Sequence, residues 1–332
     1  MRIALDAMGT DDAPGSEVAG AVGALRDLRS DLEIVLVGDQ GRIREELKRY
    51  EGVDLDRLRV EHARERIDPG ESPALAVRRK PDSSIVVGLN LQKDGEADAF
   101  VSAGSTGAVM AASLLLLRPL PGVDRPAIGT LLPTASGACL MLDAGANVDC
   151  KPHHLVQFAH LGNIYAQDLM GRERPRVGLL NIGEEPEKGD ELSVEAYRLL
   201  TESSVNFVGN IEGRELIQGP VDVLVCDGFV GNVLLKFYES VAEFIIGLLR
   251  RELEQIEEEL ELEDIFRILD YAEYGGAPLL GVNGVSIVCH GQSPPKAVQN
   301  AIGVAAQAVS SSMVSHIAGE LSGATEGTGK VP

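Results

Sequence analysis

One arrangement recurs along the chain: a short apolar run, a turn rich in Gly, Asp or Asn, then a segment of helical period. RIALDAMG leads into SEVAGAVGALRDL, and LEIVLVGD leads into QGRIREELKRY. ADAFVSAG, GACLMLDAGAN, RVGLLNIGEE, VDVLVCDGFVGN and VSIVCHGQS repeat it. The runs are rich in Val, Ile and Leu and apolar on both faces, as strands of a covered parallel sheet must be. The alternation predicts an α/β protein, a doubly wound three-layer α/β/α sandwich. In such a sheet the strand ends share one edge, where ligands bind. Those ends carry Asp6, Ser102, Asp143 with Asn147, Asn181, Asp227 and His290. Each singly is an ordinary turn or cap residue; the repetition after so many strands points to a site.

Composition removes several classes. A net charge of −21 opposes binding to nucleic-acid backbones and anionic lipid, and 4% aromatic residues with no Trp leaves few bases-stacking platforms. No nucleic acid is expected as a partner. The longest apolar run, AVMAASLLLL, is far short of a bilayer span. MRIALDAMG reads as an opening strand, not a signal peptide. Cys139, Cys150, Cys226 and Cys289 have no C-x-x-C spacing and read as reduced structural thiols of a cytoplasmic protein.

From Leu234 to Leu260 apolar residues return at steps of three and four, including Tyr238, Val241, Ile245, Leu248 and Leu249. This predicts one long amphipathic helix, and a helix that long on a compact domain is expected to pair with a copy of itself. Membrane attachment is the alternative, but its polar face is mostly Glu where interfacial helices favour Lys and Arg. The expected organisation is a single catalytic domain over 1–318 with a cleft between two lobes, the helical dimerisation region at 234–270, and a disordered Gly/Ser/Thr-rich tail from 319 to 332.

SAGSTGA, residues 102–108, has the makings of an anion cradle: glycines allow close backbone approach, and Ser105 or Thr106 opens a helix whose first N–H groups face outward. It is neither a Walker A loop nor G-x-G-x-x-G. GFVGNVLLK repeats the theme with Gly231, Asn232 and Lys236; Asn147, Lys151 and His154 precede or start another helix; Asn181 and Lys188 flank a loop. Lysines and amides gathered at helix starts predict an anion cleft. No metal site is expected, because His153 and His154 are adjacent and other ligands are scattered. The absence of G-x-S-x-G argues against a serine hydrolase.

Taken in order, MRIALDAMGTDDAP, SAGSTGA, DRPAIGTLLPT, DAGANVDCKPHHL, VGLLNIGEE, NFVGNIEGRE, CDGFVGNVLLK, YGGAPLLG and HGQS resemble the bacterial phosphate acyltransferase family of phospholipid synthesis over residues 1 to about 310. The resemblance implies an isocitrate/isopropylmalate-dehydrogenase-like sandwich and a homodimer. It also implies transfer of a long-chain acyl group from acyl carrier protein to inorganic phosphate, with no cofactor. The acyl phosphate would pass to the membrane glycerol-3-phosphate acyltransferase, which suggests a cytoplasmic enzyme with peripheral contact at the inner membrane face. Three positions depart from the pattern that the resemblance implies: M-G-G-D-H is here Met8-Gly9-Thr10-Asp11-Asp12, with Thr10 for Gly and Asp12 for His, and S-A-G-N-T-G-A has Ser105 in place of Asn.

Under this reading Asp6, Gly9, Ser102, Gly104, Ser105, Thr106, Gly107 and Gly231 are the expected phosphate-binding set. Asn147, Asn181 and Asn232 are expected to stabilise the oxyanion, and Lys151, Lys188, Lys236, His154 and His290 to neutralise charge or protonate the thiolate. Arg78-Arg79-Lys80 and Arg250-Arg251 are the two basic clusters available to an acidic carrier protein. The rivals are an acyl-CoA-dependent phosphotransacetylase, an NAD-dependent decarboxylating dehydrogenase and a non-catalytic scaffold of lipid synthesis.

Overall fold

Apolar runs buried on both faces form the strands of one eleven-stranded sheet. The computed structural model describes residues 1–52, 54–253 and 275–327, and its chain divides into two compact units. The first contains Met1–Ile128, Gln167–Gly171 and the chain from Gly275; the second contains Gly129–Ala166 and Arg172–Tyr274.

In the first unit the strands are β1 (Arg2–Asp6), β2 (Glu33–Gly38), β3 (Leu58–His62), β4 (Ala99–Ser102), β10 (Ala277–Leu280) and β11 (Val285–Val288), with the start of β5 (Ala127–Thr134). Their order is β3-β2-β1-β4-β11-β10-β5. The five from β3 to β11 run parallel, so Asp6, Ser102 and the residues after Val288 leave at one edge. β4 and β11 are buried along their whole length, which requires helices on both sides. Helix α1 (Gly15–Asp27) packs on α9 (Pro295–Ser310). α4 (Ser84–Lys93) lies on β1, β2 and β4, beside α5 (Thr106–Leu116), which also touches α3 (Pro73–Arg79). α2 (Gln40–Leu47) follows β2, started by the Asp39 side chain accepting from Arg42 N–H. The outer strand β3 carries Arg59 paired to Glu61 and Glu96, charges that discourage edge-to-edge pairing.

In the second unit the order is β5-β6-β9-β7-β8, with β6 (Gly137–Leu142), β7 (Val177–Asn181), β8 (Phe207–Glu212) and β9 (Val223–Val225). β6, β9, β7 and β8 are mutually parallel. α6 (Pro152–Asp168) lies on β9 at Gly162, where a Cβ would meet Val223 Cγ1 at 2.5 Å. α7 (Glu191–Glu202) starts on an Asp190 cap and packs beside β7 and β8. α8 (Gly228–Leu253) is the long helix.

All seven strands expected from the repeating pattern are present, each with a parallel neighbour. The pairing is mixed, however: β5 and β6 form a hairpin, and β10 is antiparallel to β5 and β11. β3, β5, β8 and β10 break the repeat because they are exposed edges, hairpin arms or short pieces without a following helix. The long helix begins at Gly228, six residues before its apolar repeat, because Asp227 caps it. Residues 254–270 of the expected dimerisation region lie outside the described residues. The expected tail is corrected in part: helix α10 (Met313–Gly327) runs through its first nine residues, anchored by Ile317 and Leu321, both buried. All four cysteines are thiols, and burial pushes Cys139 and Cys289 up to about 12.

Two glycines test this packing. At Gly88 a Cβ would lie 2.4 Å from Cε2 of the fully buried Phe100 ring, so Gly88→Val is expected to cost about 1–3 kcal/mol, read as a lower urea midpoint. At Gly319, exposed on α10, nothing lies within 4 Å, and Gly319→Ala is expected to add about 0.4–1 kcal/mol; no gain would contradict a helix at that point.

Candidate active site

Three turns meet at the strand edge of the first unit. The first follows β1. The Asp6 carboxylate is buried and accepts Met8 N–H at 3.0 Å and Ser102 Oγ–H at 2.7 Å. The second follows β4: Ser102 Oγ accepts Gly104 N–H at 3.0 Å. Asp6, Ser102 and Gly104 thus form a chain of hydrogen bonds that sets the shape of SAGSTGA. The third follows β11, where Gly291 C=O accepts Asp11 N–H at 2.8 Å and Cys289 N–H donates to Ser102 C=O at 2.8 Å. His290 is exposed there, its Nδ1 accepting Gln292 N–H at 3.2 Å.

The first two turns touch through bare backbone. A Cβ on Gly9 would stand 2.6 Å from Gly104 N and 2.7 Å from the Ala103 carbonyl carbon. A Cβ on Gly107 would stand 2.8 Å from Pro73 Cγ, so α3 is seated on the same turn. Ser105 is the N-cap of α5, yet its hydroxyl makes no capping bond. Among the described residues the first-turn N–H groups of α5, at Thr106 and Gly107, have no partner, and the Ser105 hydroxyl stands beside them.

Burial pushes the Asp6 carboxyl up, against hydrogen bonds from Ser84, Ser102 and Met8 and the positive charge of Arg66. Glu17, on α1, is wholly buried and takes two bonds from one residue: Thr10 N–H at 2.7 Å on one oxygen and Thr10 Oγ–H at 3.0 Å on the other. Burial pushes Glu17 from 4.5 up to about 7, and the Thr10 bonds offset part of that rise. Thr10, one of the three departures from the family pattern, thus uses its side chain to anchor the loop. Neither Glu17 nor Arg66 belonged to the expected set. Glu17 reads as an ordinary polar position of α1, and Arg66 follows a strand that the apolar pattern does not reveal.

The second unit gathers its own turns. Buried Asp143 accepts Gly145 N–H, Ala146 N–H, Asn147 N–H and the Asn147 side-chain amide, the last at 2.9 Å. Asn147 C=O accepts Gly228 N–H at 2.7 Å, and Asn232 lies against Gly145. At Gly231, expected in the phosphate-binding set, the helix start has partners within the chain. Asp227 already accepts Phe229 and Val230 N–H at 2.8 and 3.0 Å, and its carbonyl takes Gly231 N–H. With the helix start filled by the chain's own carboxylate, Gly231 serves close packing on the Asp143 carbonyl. His154, buried, starts α6 by accepting Lys151 N–H on Nδ1 at 3.0 Å. Asn181 staples its loop, donating to Lys188 C=O and accepting Ile182 N–H. Lys151, Lys188 and Lys236 are exposed. Arg78 and Arg79 are exposed on α3, while Lys80 pairs with Glu71 at 2.6 Å. Arg250 and Arg251 lie on the last turn of α8, and their side chains lie outside the described residues.

The chain matches a family model described as fatty acid synthesis protein over residues 1–316. A curated phosphate acyltransferase of Desulforamulus reducens is 52% identical over 321 residues, 95% of both chains. One of Heliobacterium modesticaldum is 52% identical over 334 residues, 98% of this chain and 99% of the relative. Among solved structures, EutD phosphotransacetylase from Staphylococcus aureus has a TM-score of 0.62 at 16% identity, covering 93% of this chain and 94% of that one. A phosphotransacetylase from Streptococcus pyogenes has a TM-score of 0.60 at 18% identity, covering 93% and 94%. These structural likenesses show the shared α/β fold.

Glu17 makes the first unit sensitive to pH. Its folded value is above its unfolded one, so the folded state holds the extra proton between about pH 4.5 and 7 and loses stability as pH rises through that window. The loss is on the order of 3 kcal/mol. Glu17→Gln keeps both Thr10 contacts, with the hydroxyl reversing its role, and removes the titration. Urea unfolding from pH 5 to 8 is expected to decline in the parent protein and to be flatter in the variant; identical profiles would place the proton elsewhere.

Proposed function

We propose, for a chain that belongs to the fatty acid synthesis protein family and with it to the phosphate acyltransferases, that the acyl donor is acyl carrier protein loaded with a long chain. The chain is an acyltransferase that moves an acyl group onto phosphate in lipid synthesis. Inorganic phosphate sits in our reading on the Ser102–Gly107 turn. The observation that carries it is the uncapped start of α5 with Ser105 Oγ and the Thr106 and Gly107 N–H groups open. Aligned peptide dipoles place about half a positive charge there. Asp6 and Gly9 act at one remove: Asp6 orients Ser102, and Gly9 lets the loop close on Gly104.

The reaction asks for positioning more than for covalent chemistry. A phosphate oxygen attacks the thioester carbonyl carbon, and a tetrahedral oxyanion forms. The carbon–sulfur bond then breaks, and the proton of the attacking hydroxyl ends on the thiol sulfur. Acyl phosphate and free carrier thiol are the products, with no acyl-enzyme between them. The acyl phosphate would be consumed by the membrane glycerol-3-phosphate acyltransferase, consistent with an enzyme acting at the cytoplasmic side. No single helix among the described residues is long and apolar enough to cross a membrane.

Helix α3 supports the carrier-protein reading. It sits on Gly107 through Pro73 and presents exposed Leu75, Arg78 and Arg79. Neither arginine has an ion-pair partner among the described residues, which leaves two charges for an acidic partner. The homodimer reading has its own support: Phe229, Val233, Phe237 and Phe244 are 63, 57, 67 and 66% exposed along α8. Their spacing puts them on one helix face, an apolar stripe that a second copy would cover.

The donor is tested by following phosphate-dependent thiol release from long-chain acyl carrier protein and from the matching acyl-CoA. The carrier protein is expected to give much the higher kcat/KM; preference for acyl-CoA would make the enzyme phosphotransacetylase-like, and binding without turnover would favour a scaffold. Arg78→Glu with Arg79→Glu is expected to raise KM for the carrier-protein donor roughly tenfold, about 1.4 kcal/mol, leaving phosphate KM unchanged. Phe237→Glu with Phe244→Glu is expected to shift the sedimentation mass from dimer to monomer.

A further inference from the structure

We propose that Arg66 contacts the phosphate nucleophile, supplying the full positive charge that the Ser102–Gly107 turn lacks. This rests on reading that turn as the phosphate site. A helix start offers only about half a charge, while the nucleophile is a dianion held by a chain of net charge −21. A guanidinium at the turn is the missing element.

The lysines that the sequence pattern suggests for this purpose, Lys151, Lys188 and Lys236, all belong to the second unit. Within the first unit the cations near the turn differ in how far they are already committed. Lys80 is spent: Nζ lies 2.6 Å from a Glu71 carboxylate oxygen and donates to Arg66 C=O at 2.7 Å. Arg42 donates to the Ala13 carbonyl. Arg66 is held only loosely. Its Nη2 reaches the Gly9 and Thr10 carbonyls at 3.3 and 3.4 Å, both long, and its nearest carboxylate, Asp68, is 3.9 Å from Nε.

Arg66 is also in the right place. Gly9, whose carbonyl it touches, is the residue packed on the Ala103–Gly104 backbone. Its charge acts on buried Asp6, which holds Ser102. The side chain is 35% exposed, enough for a small anion to reach and too little for water to screen the charge fully. Of its five N–H donors only those of Nη2 are engaged, and at long range, which leaves the Nη1 donors for a charge-assisted contact with a phosphate oxygen. In the first unit the carbonyls of the loop after β1 thus hold the Arg66 guanidinium, and Gly9 of that loop packs on the Ala103–Gly104 backbone that leads into α5.

The test compares Arg66→Ala and Arg66→Lys with the parent enzyme in two measurements. In steady-state kinetics Arg66→Ala is expected to raise KM for phosphate about ten- to hundredfold, as for a lost charge-assisted contact, with KM for the acyl donor within twofold. Arg66→Lys, which keeps the charge without the fork, is expected to fall between. In thermal melting, inorganic phosphate is expected to raise Tm of the parent enzyme and to lose that effect in Arg66→Ala, while Tm without phosphate marks a properly folded variant. Unchanged phosphate KM and an unchanged phosphate-induced Tm rise overturn the assignment. Equal rises in both KM values overturn it too, because they make Arg66 a support of the loop alone. If the donor proves to be acyl-CoA while phosphate still stabilises only proteins with Arg66, the carrier-protein reading fails and the role of Arg66 stands. If phosphate stabilises neither protein, the Ser102–Gly107 site and Arg66 fall together.

Discussion

The first unit depends on a contact made without side chains. Gly9 stands so close to the Ala103–Gly104 peptide that any Cβ would overlap it. The Asp6–Ser102–Gly104 hydrogen-bond chain runs beneath that contact and holds both turns at once. Polar groups this buried are costly unless every one is paired, and here Asp6 accepts from Ser102 and Met8 while Ser102 in turn accepts from Gly104. The open helix start at Thr106 follows directly from this network, and Ala108 and Val109 of its first turns are buried beside it.

Why α5 and not α8 is the open end follows from what each helix does with its first turn. Both follow a strand and a glycine-containing turn, and both look alike in sequence. At α8 the chain supplies an anion of its own: the Asp227 carboxylate sits on Phe229 and Val230 N–H. At α5 the corresponding capping residue, Ser105, makes no such bond. A capped helix start has little left for a ligand, since its dipole and donors are already answered. Two of the departures from the family pattern have local partners or roles of their own. Thr10 gains a buried partner in Glu17, so a residue stiffer than Gly keeps the loop in place. Ser105 keeps a hydroxyl where the family has an amide.

Much of the fold could be read in advance, because strands buried on two faces leave long apolar runs and their turns leave Gly, Asp and Asn. Asp6, Ser102 and the SAGSTGA turn were legible as candidates for the same reason, and the structure puts their turns beside those of Gly9 and His290 at one edge of one unit. The local partners within that set were not visible. Ser102, expected among the phosphate-binding residues, bonds Asp6 and Gly104. Asn147, expected as an oxyanion donor, gives an amide hydrogen to Asp143. His154, expected to neutralise charge or protonate the thiolate, accepts Lys151 N–H at the start of α6. In each case a polar residue at a strand end had a local partner a few positions away, and type alone does not say whether such a partner is taken.

Hydrophobic periodicity determined the class of fold, the parallel strands and the edge at which polar residues collect, because burial on both faces is a property that each segment carries by itself. Which glycines touch, which helix starts are capped and which cation stays uncommitted were decided only in the tertiary structure. Those depend on residues far apart in the chain: Asp6 with Ser102, Gly9 with Gly104, and Arg66 with the Gly9 carbonyl. A hydrogen bond between residues 96 positions apart has no period and leaves no local mark; it exists only once the sheet has brought β1 and β4 side by side.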